Sequence, residues 1–233
     1  MTCRHCCFSC TAKGTDMSRE TFHKAIALAS EHDTNITIGG GEPTLHPLFK
    51  EFLWHAIWEL AHVSNFEGNP AVFMVTNGSN TDTAITLAKL AQRGVIGCRV
   101  SKDSYHDPID PRVFDAFKRP ERERYATPSH RDDYDCRDIG SDPTYIQAMG
   151  RAKEWGNRSQ TEGCCGGLFV TPRGNLYACE CKKVRLGTIS EPRDVVQEHF
   201  YGGYCSQSEG YKEEVLHAKT DNAVAIGGEV IKL

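Results

Sequence analysis

Several features are missing from this sequence, and each absence narrows its class. No apolar run approaches the roughly 18–20 residues that a membrane helix needs, so no membrane span is expected. The first residues lack the apolar core of a secretory signal, and the expected location is cytoplasmic. Net charge is low, with 27 Lys and Arg against 31 Asp and Glu, a formal −4. That excludes a generally basic surface, and no nucleic-acid partner is expected. Internal repeats and low-complexity stretches are absent. What remains is a 233-residue chain, 39% hydrophobic and 25% charged, enough for one cored domain with a small appendage.

Cysteine, by contrast, is abundant and unevenly placed. Of 11 cysteines, Cys3, Cys6, Cys7 and Cys10 crowd the first ten residues, and Cys164, Cys165, Cys179, Cys181 and Cys205 lie late. Only Cys98 and Cys136 stand apart. An odd number of thiols in a reducing compartment, grouped in two clusters, points to metal rather than to disulfides.

Apolar spacing predicts helices over residues 17–32 (capped by Asp16 or Ser18), 48–63, 82–93 and 111–118. Short β-rich runs predict strands at 35–38, 71–75 and 96–101, with turns at Gly39-Gly40-Gly41 and Thr76-Asn77-Gly78. Strand and helix alternate, so parallel βα units are expected, forming an open α/β sheet or a partial barrel. In such folds ligands gather at the C-terminal strand ends, where the 39–43, 76–78 and 101–107 segments fall. Residues 119–143 are charged and aperiodic, read as a solvated loop or a substrate lid. A further helix is expected over 145–155, and a hairpin around Thr171-Pro172-Arg173-Gly174-Asn175.

Cys3, Cys7 and Cys10 are spaced C-x3-C-x2-C, and Cys3, Cys6 and Cys10 give the mirrored C-x2-C-x3-C. Three soft thiolates so close in sequence suit an iron–sulfur cluster with one iron left open. Zinc, which prefers four ligands in paired units, remains the alternative on spacing alone. Thirty residues on, a strand runs into Gly39-Gly40-Gly41-Glu42-Pro43-Thr44. Glycine lets the backbone approach a ligand, Glu42 offers a carboxylate to an ammonium group, and Pro43 stiffens the turn.

Together, CRHCCFSC and GGGEPT resemble the radical S-adenosylmethionine (radical SAM) superfamily. The resemblance implies an enzyme with a partial TIM-like (β/α) barrel. It makes Cys3, Cys7 and Cys10 ligands of a [4Fe–4S] cluster whose open iron chelates S-adenosylmethionine. Gly40, Gly41, Glu42 and Pro43 then hold the methionine amino group, and Cys6 is a bystander. Thr76 and Asn77, at the end of VTNG, and Ser101 and Asp103, in VSKDSYHD, are further candidate cofactor contacts. Tyr105, His106 and Asp107 are candidates for substrate contact or for capping the next turn. Two departures stand out. Only Met1 and Thr2 precede Cys3, so the usual first strand is missing or displaced. Ser9 replaces the usual aromatic before the last cysteine, leaving Phe8 to pack near the adenine.

The late cysteines, with GNLYACECKKVRLGTI, are similar to SPASM or twitch extensions, giving a core over 1–155 and an extension over 156–233. That resemblance implies a second, auxiliary iron–sulfur cluster drawing four ligands from Cys164, Cys165, Cys179, Cys181 and Cys205, with zinc or free thiols as alternatives. Cys136, in a polar loop, is a candidate hydrogen-atom donor. The implied partners are a peptide or other amino-acid-containing substrate and an external electron donor such as flavodoxin or ferredoxin. A small metabolite, nucleotide or sugar substrate is the alternative, and a non-catalytic iron–sulfur or zinc protein the alternative class.

Overall fold

The computed structural model describes residues 6, 8–63, 70–103, 106–118, 134–140, 151, 168–177, 182, 185–191 and 230–232, with backbone alone for 102, 103, 134–140 and 230–232. Helix α1 (Arg19–Glu31) starts where Ser18 turns its hydroxyl back to accept the Thr21 amide, which satisfies an otherwise orphaned donor. Its buried face carries Phe22, Ala25, Ile26 and Ala29 at helical spacing. Strand β1 (Asn35–Ile38) leads through the glycine turn and a single 3-10 turn (Pro43–Leu45) into α2 (Phe49–Glu59). Phe22 of α1 stacks on Phe52 of α2, with ring centroids 4.1 Å apart. Burying side chains of this size contributes about 1.5–3 kcal/mol each.

Strand β2 (Val72–Thr76), helix α3 (Thr81–Gln92), strand β3 (Gly97–Asp103) and helix α4 (Pro111–Phe117) repeat the unit. Pro111 opens α4, and Asp110 accepts the Arg112 amide as its cap. Strands β1, β2 and β3 pair parallel and in sequence order. Consecutive parallel neighbours joined by right-handed crossovers place their helices on one face, as in a barrel wall. Ile36, Ile38, Val72, Met74, Cys98 and Val100 accordingly share one buried core with the helices. The alternate residues Thr37, Phe73, Val75, Arg99 and Ser101 are only half-buried.

Two strands correct the sequence-based picture. Strand β4 (Tyr134–Gly140) pairs parallel with β3, where a loop or lid was expected. Its sequence, YDCRDIG, hides its period because it is the last strand on its side of the sheet, where charge is tolerated. Cys136 therefore stands in a strand, its backbone opposite Val100, rather than in a polar loop. At the other side, the position left vacant beside β1 is taken by β8 (Val230–Lys232), from the far end of the chain, again parallel. The sheet continues through β5 (Phe169–Val170), β6 (Asn175–Tyr177) and β7 (Arg185–Thr188). The order is β4-β3-β2-β1-β8-β5-β6-β7. This sheet is open among the described residues, so the fold is a partial α/β wall and not a closed barrel. The hairpin β5–β6 turns at Gly174, as its sequence implies. The helix expected over 145–155 lies outside the described residues apart from Arg151. No described helix is long and apolar enough to cross a membrane.

Candidate functional site

The site is built where β1, β2 and β3 end. After Ile38 the chain turns at Gly40, whose φ of +122° is open to glycine and strained for other residues. It then enters the 3-10 turn, with Glu42 as cap and Pro43 at its first position. Beside it, β2 ends in Thr76, Asn77 and Gly78. Gly78 has φ +74°, a conformation that favours glycine, and a Cβ there would stand 2.4 Å from Ile109 Cδ1, the far end of a side chain that would have to move aside.

Glu42 joins the two turns. Its Oε1 accepts the Thr44 amide at 3.2 Å, the Thr44 hydroxyl at 2.7 Å and the Thr76 hydroxyl at 2.8 Å. Its Oε2 accepts the Asn77 amide at 2.7 Å. Among the described residues the buried polar side chains are Thr34, Thr44, Thr76 and Asn77, so three of these four surround one carboxylate. Buried polar groups need partners, and here each finds one on Glu42 or beside it. The Asn80 amide group donates to the Thr44 carbonyl at 3.3 Å. His46 braces the same turn from the other side. Its Nδ1 accepts the Leu48 amide, so its Nε2 carries the hydrogen and donates to the Met17 carbonyl at 3.1 Å.

Cys10 comes against this turn. A Cβ built on Gly41 would sit 3.7 Å from Cys10 Cβ and 3.9 Å from its Sγ. Cys6 and Cys10 are both half-buried, and the Cys10 amide donates to Cys6 Sγ at 3.3 Å. The Cys10 side chain, also hydrogen-bonded to Cys6, holds the Cys6 thiol down to about 5 against the opposing effect of burial. The Cys10 and Phe8 amides and the Arg151 charge add to the same effect. Cys6, singled out by the mirrored C-x2-C-x3-C spacing but made a bystander by the family resemblance, is thus drawn into the loop's hydrogen bonding. Buried Cys98 is the opposite case: burial, then the Glu42 charge, push its thiol above the usual range.

Phe8, expected beside an adenine, stacks on Phe169 of β5 at 5.4 Å, with Lys182 Nζ 4.9 Å from the Phe169 ring and 5.8 Å from the Phe8 ring. This contact ties the cysteine loop to the C-terminal hairpin. A cavity of about 230 Å3 opens between the ends of β2 and β3, lined by Asn77, Ser101, His106, Asp107, Ile109 and Phe114 among others. The structure thus brings Cys10, Gly40, Gly41, Glu42, Pro43, Thr76, Asn77 and Ser101 to one end of the sheet. Asp103 closes β3 at a register shift opposite Gly140. Cys3, Cys7 and Tyr105, and the late cysteines Cys164, Cys165, Cys179, Cys181 and Cys205, lie outside the described residues. Thr44 and His46 were not anticipated from sequence. Their signal was available only as polar residues two and four positions after Glu42.

One soft donor of the kind an iron–sulfur cluster takes, Cys10, stands at this end beside the glycine turn. Cys10 offers a half-buried thiol, and a Cβ on Gly40 would meet nothing within 4 Å, so the space beside the turn is open. Among the described residues no three His, Cys, Asp or Glu side chains form a metal site by themselves.

No protein-family model matches the chain, and no curated protein matches it. Its fold is similar to that of BtrN. The crystal structure of BtrN in complex with AdoMet and 2-DOIA superposes with a TM-score of 0.53 over 94% of this chain and 82% of that one. Sequence identity is 14%, so the likeness to BtrN is one of fold.

Proposed function

We propose that this chain is a radical SAM enzyme that binds S-adenosylmethionine across the C-terminal ends of β1–β3. The observation that carries this reading is the nearness of Cys10 to Gly41, where an added Cβ would stand 3.7 Å from Cys10 Cβ, so that two motifs about thirty residues apart in sequence lie together at one sheet end. The fold of BtrN, whose crystal structure contains AdoMet, supports it. Cys3, Cys7 and Cys10 would hold the [4Fe–4S] cluster. A cluster held there would supply one-electron reducing power for cleaving the sulfonium carbon–sulfur bond of S-adenosylmethionine, the chemistry that activates a substrate carbon–hydrogen bond.

The protein's own part is placement. Gly40 and Gly41 let the backbone approach the methionine end of the ligand without side-chain interference. Pro43 and the bonds of Glu42 and His46 keep that turn stiff, which favours a single reactive geometry. Asn77, Ser101, His106 and Asp107 line the adjoining cavity, the place for the ribose or the substrate. Electrons come from an external donor such as flavodoxin or ferredoxin.

Residues 156–233 we read as a SPASM- or twitch-like extension to a core over 1–155, with Cys164, Cys165, Cys179, Cys181 and Cys205 supplying an auxiliary cluster. By the same resemblance the substrate is a peptide or another amino-acid-containing compound. The test is anaerobic reconstitution, dithionite reduction and addition of S-adenosylmethionine, with 5′-deoxyadenosine followed by mass spectrometry. Product from the wild type, and none from a chain with Cys3→Ala, Cys7→Ala and Cys10→Ala, is the expected result. Absence of both product and S-adenosylmethionine binding would leave an electron-transfer or zinc protein.

A further inference from the structure

We infer that the C-terminal hairpin clamps the cysteine loop, and that Lys182 is the positioning residue of the clamp, its ammonium holding Phe8 on Phe169. The cluster that the loop would receive rests on the function proposed above; the clamp rests on geometry alone. Among the described residues from 6 to 14, Phe8 is the one large apolar side chain. It is half-buried, whereas residues 11–16 are exposed. Its ring lies within 14° of parallel to that of Phe169, with centroids 5.4 Å apart. Lys182, in the connection from β6 to β7, stands over both rings, 4.9 Å from the Phe169 centroid and 5.8 Å from that of Phe8. Both distances fall inside the roughly 6 Å at which a cation is drawn to a ring face. One aromatic pair and two cation–ring contacts therefore meet at a single point.

The hairpin is the firm side of this contact. Phe169 is buried, and its neighbours Leu168 and Val170 belong to the core. The hairpin turn is seated on α1: a Cβ on Gly174 would meet Ile189 Cγ2 at 3.0 Å and Thr21 Cγ2 at 3.7 Å. Beyond it, the Lys24 ammonium donates to the Ser190 hydroxyl at 3.1 Å. The loop is held more lightly. Its Ser9 amide donates to the Cys6 carbonyl at 3.2 Å, and the Arg151 amide donates to the same carbonyl at 3.1 Å. Ser9 has φ +54° and Lys182 has φ +56°, so each side of the contact carries a non-glycine residue in the left-handed region. Such backbone costs energy and persists where the surrounding contacts impose it. Only Ser9 separates Phe8 from Cys10, so a Phe8 pinned to the hairpin holds Cys10 in place against Gly41.

The test compares wild type, Phe8→Leu, Lys182→Met and Lys182→Arg as full-length chains. Leucine stays apolar and loses the ring, methionine keeps the reach of lysine without its charge, and arginine keeps the charge. Amide hydrogen exchange in the metal-free protein is read at Ser9 and Cys10, with the β2 amides as the measure of global opening. The clamp predicts that Ser9 and Cys10 exchange roughly two- to fivefold faster in Lys182→Met, the size of an exposed cation–π contact, with β2 unchanged. In Phe8→Leu, which loses the ring pair as well, the increase should be roughly tenfold. Lys182→Arg should match wild type. Iron bound per chain after anaerobic reconstitution with limiting iron should fall in Lys182→Met and Phe8→Leu and recover in Lys182→Arg. Loop exchange that is unchanged in Lys182→Met, raised equally in Lys182→Arg, or matched by the β2 amides would overturn the clamp. Faster loop exchange with unaltered iron uptake would overturn its part in positioning the cysteines. Failure of the wild type to take up iron sinks the proposed function and leaves the exchange result to decide the clamp.

Discussion

The Sγ of Cys10 would lie 3.9 Å from a Cβ built on Gly41, so the third cysteine of the N-terminal motif rests against the glycine turn that ends β1. Neither residue is fully buried, and the space beside Gly40 is open.

That contact makes the two glycines behave differently on substitution. Gly41→Ala places a methyl at ordinary contact distance from Cys10 and should leave the metal-free protein within about 0.5 kcal/mol of wild type. Gly41→Leu carries further atoms towards Cys10 and should lower the iron bound per chain after anaerobic reconstitution. Gly40→Ala meets no atom but must hold φ near +122°, which should cost about 1–3 kcal/mol. Urea titration and iron analysis on the three variants separate strain from crowding.

Gly78→Ala should destabilise more than Gly40→Ala. It adds a 2.4 Å approach to Ile109 Cδ1 and a 3.1 Å approach to Val113 Cγ1 to the strain of φ +74°. A loss of about 2–4 kcal/mol is expected, from strain and overpacking together. Ile109→Ala in the same chain should recover the overpacking part and none of the strain. Full recovery would show that the positive φ carries no cost.

Thiol reactivity should divide the described cysteines sharply. In metal-free protein the Cys6 thiol, lowered first by its bond with the Cys10 side chain, should carry more thiolate near neutral pH than an ordinary cysteine. Iodoacetamide at that pH should alkylate Cys6 readily, as read by peptide mass spectrometry. Cys98, fully buried and shifted upward, should stay unlabelled until the protein unfolds. Cys10→Ala should slow Cys6 labelling at the same pH, because the leading stabilising partner is gone.

The stack of His23 on His55, with ring centroids 3.9 Å apart, makes stability depend on acid. Desolvation, and then the neighbouring His23, hold the His55 pKa below its usual value, with Glu59 and Glu51 opposing. A group with a depressed folded pKa binds its proton more readily when unfolded. Its stabilising effect is therefore complete above about pH 6.5, the ordinary histidine value, and is lost as pH falls through the lower folded value. Solvent screening keeps the effect small, below about 1 kcal/mol, since His55 is only half-buried. His55→Gln should flatten the melting temperature between pH 7 and pH 5; an unchanged slope would show that the pair does not report acid.

Much of the local structure was legible in advance. Helix α1 was expected over 17–32 and runs Arg19–Glu31, because Ser18 and the Phe22, Ile26, Ala29 stripe are chemistry carried by neighbours in sequence. The glycine turn, the Thr76–Gly78 turn and the Gly174 hairpin were legible for the same reason. Strand β4 was not, since charged residues on a terminal strand of the sheet erase the alternation that marks a half-buried one.

By itself, the sequence determined the repeated βα units, the capping residues and the residue types of both site motifs, because helices, turns and caps are set by interactions within a few residues. Only the tertiary structure decided that β8 fills the place beside β1, that Glu42 bonds to Thr76 and Asn77, and that Cys10 meets Gly41. A three-residue strand has no period to read. A carboxylate has no sequence mark for which donors will reach it. Both outcomes depend on which distant segments the sheet brings together, and that is settled by packing across the whole core.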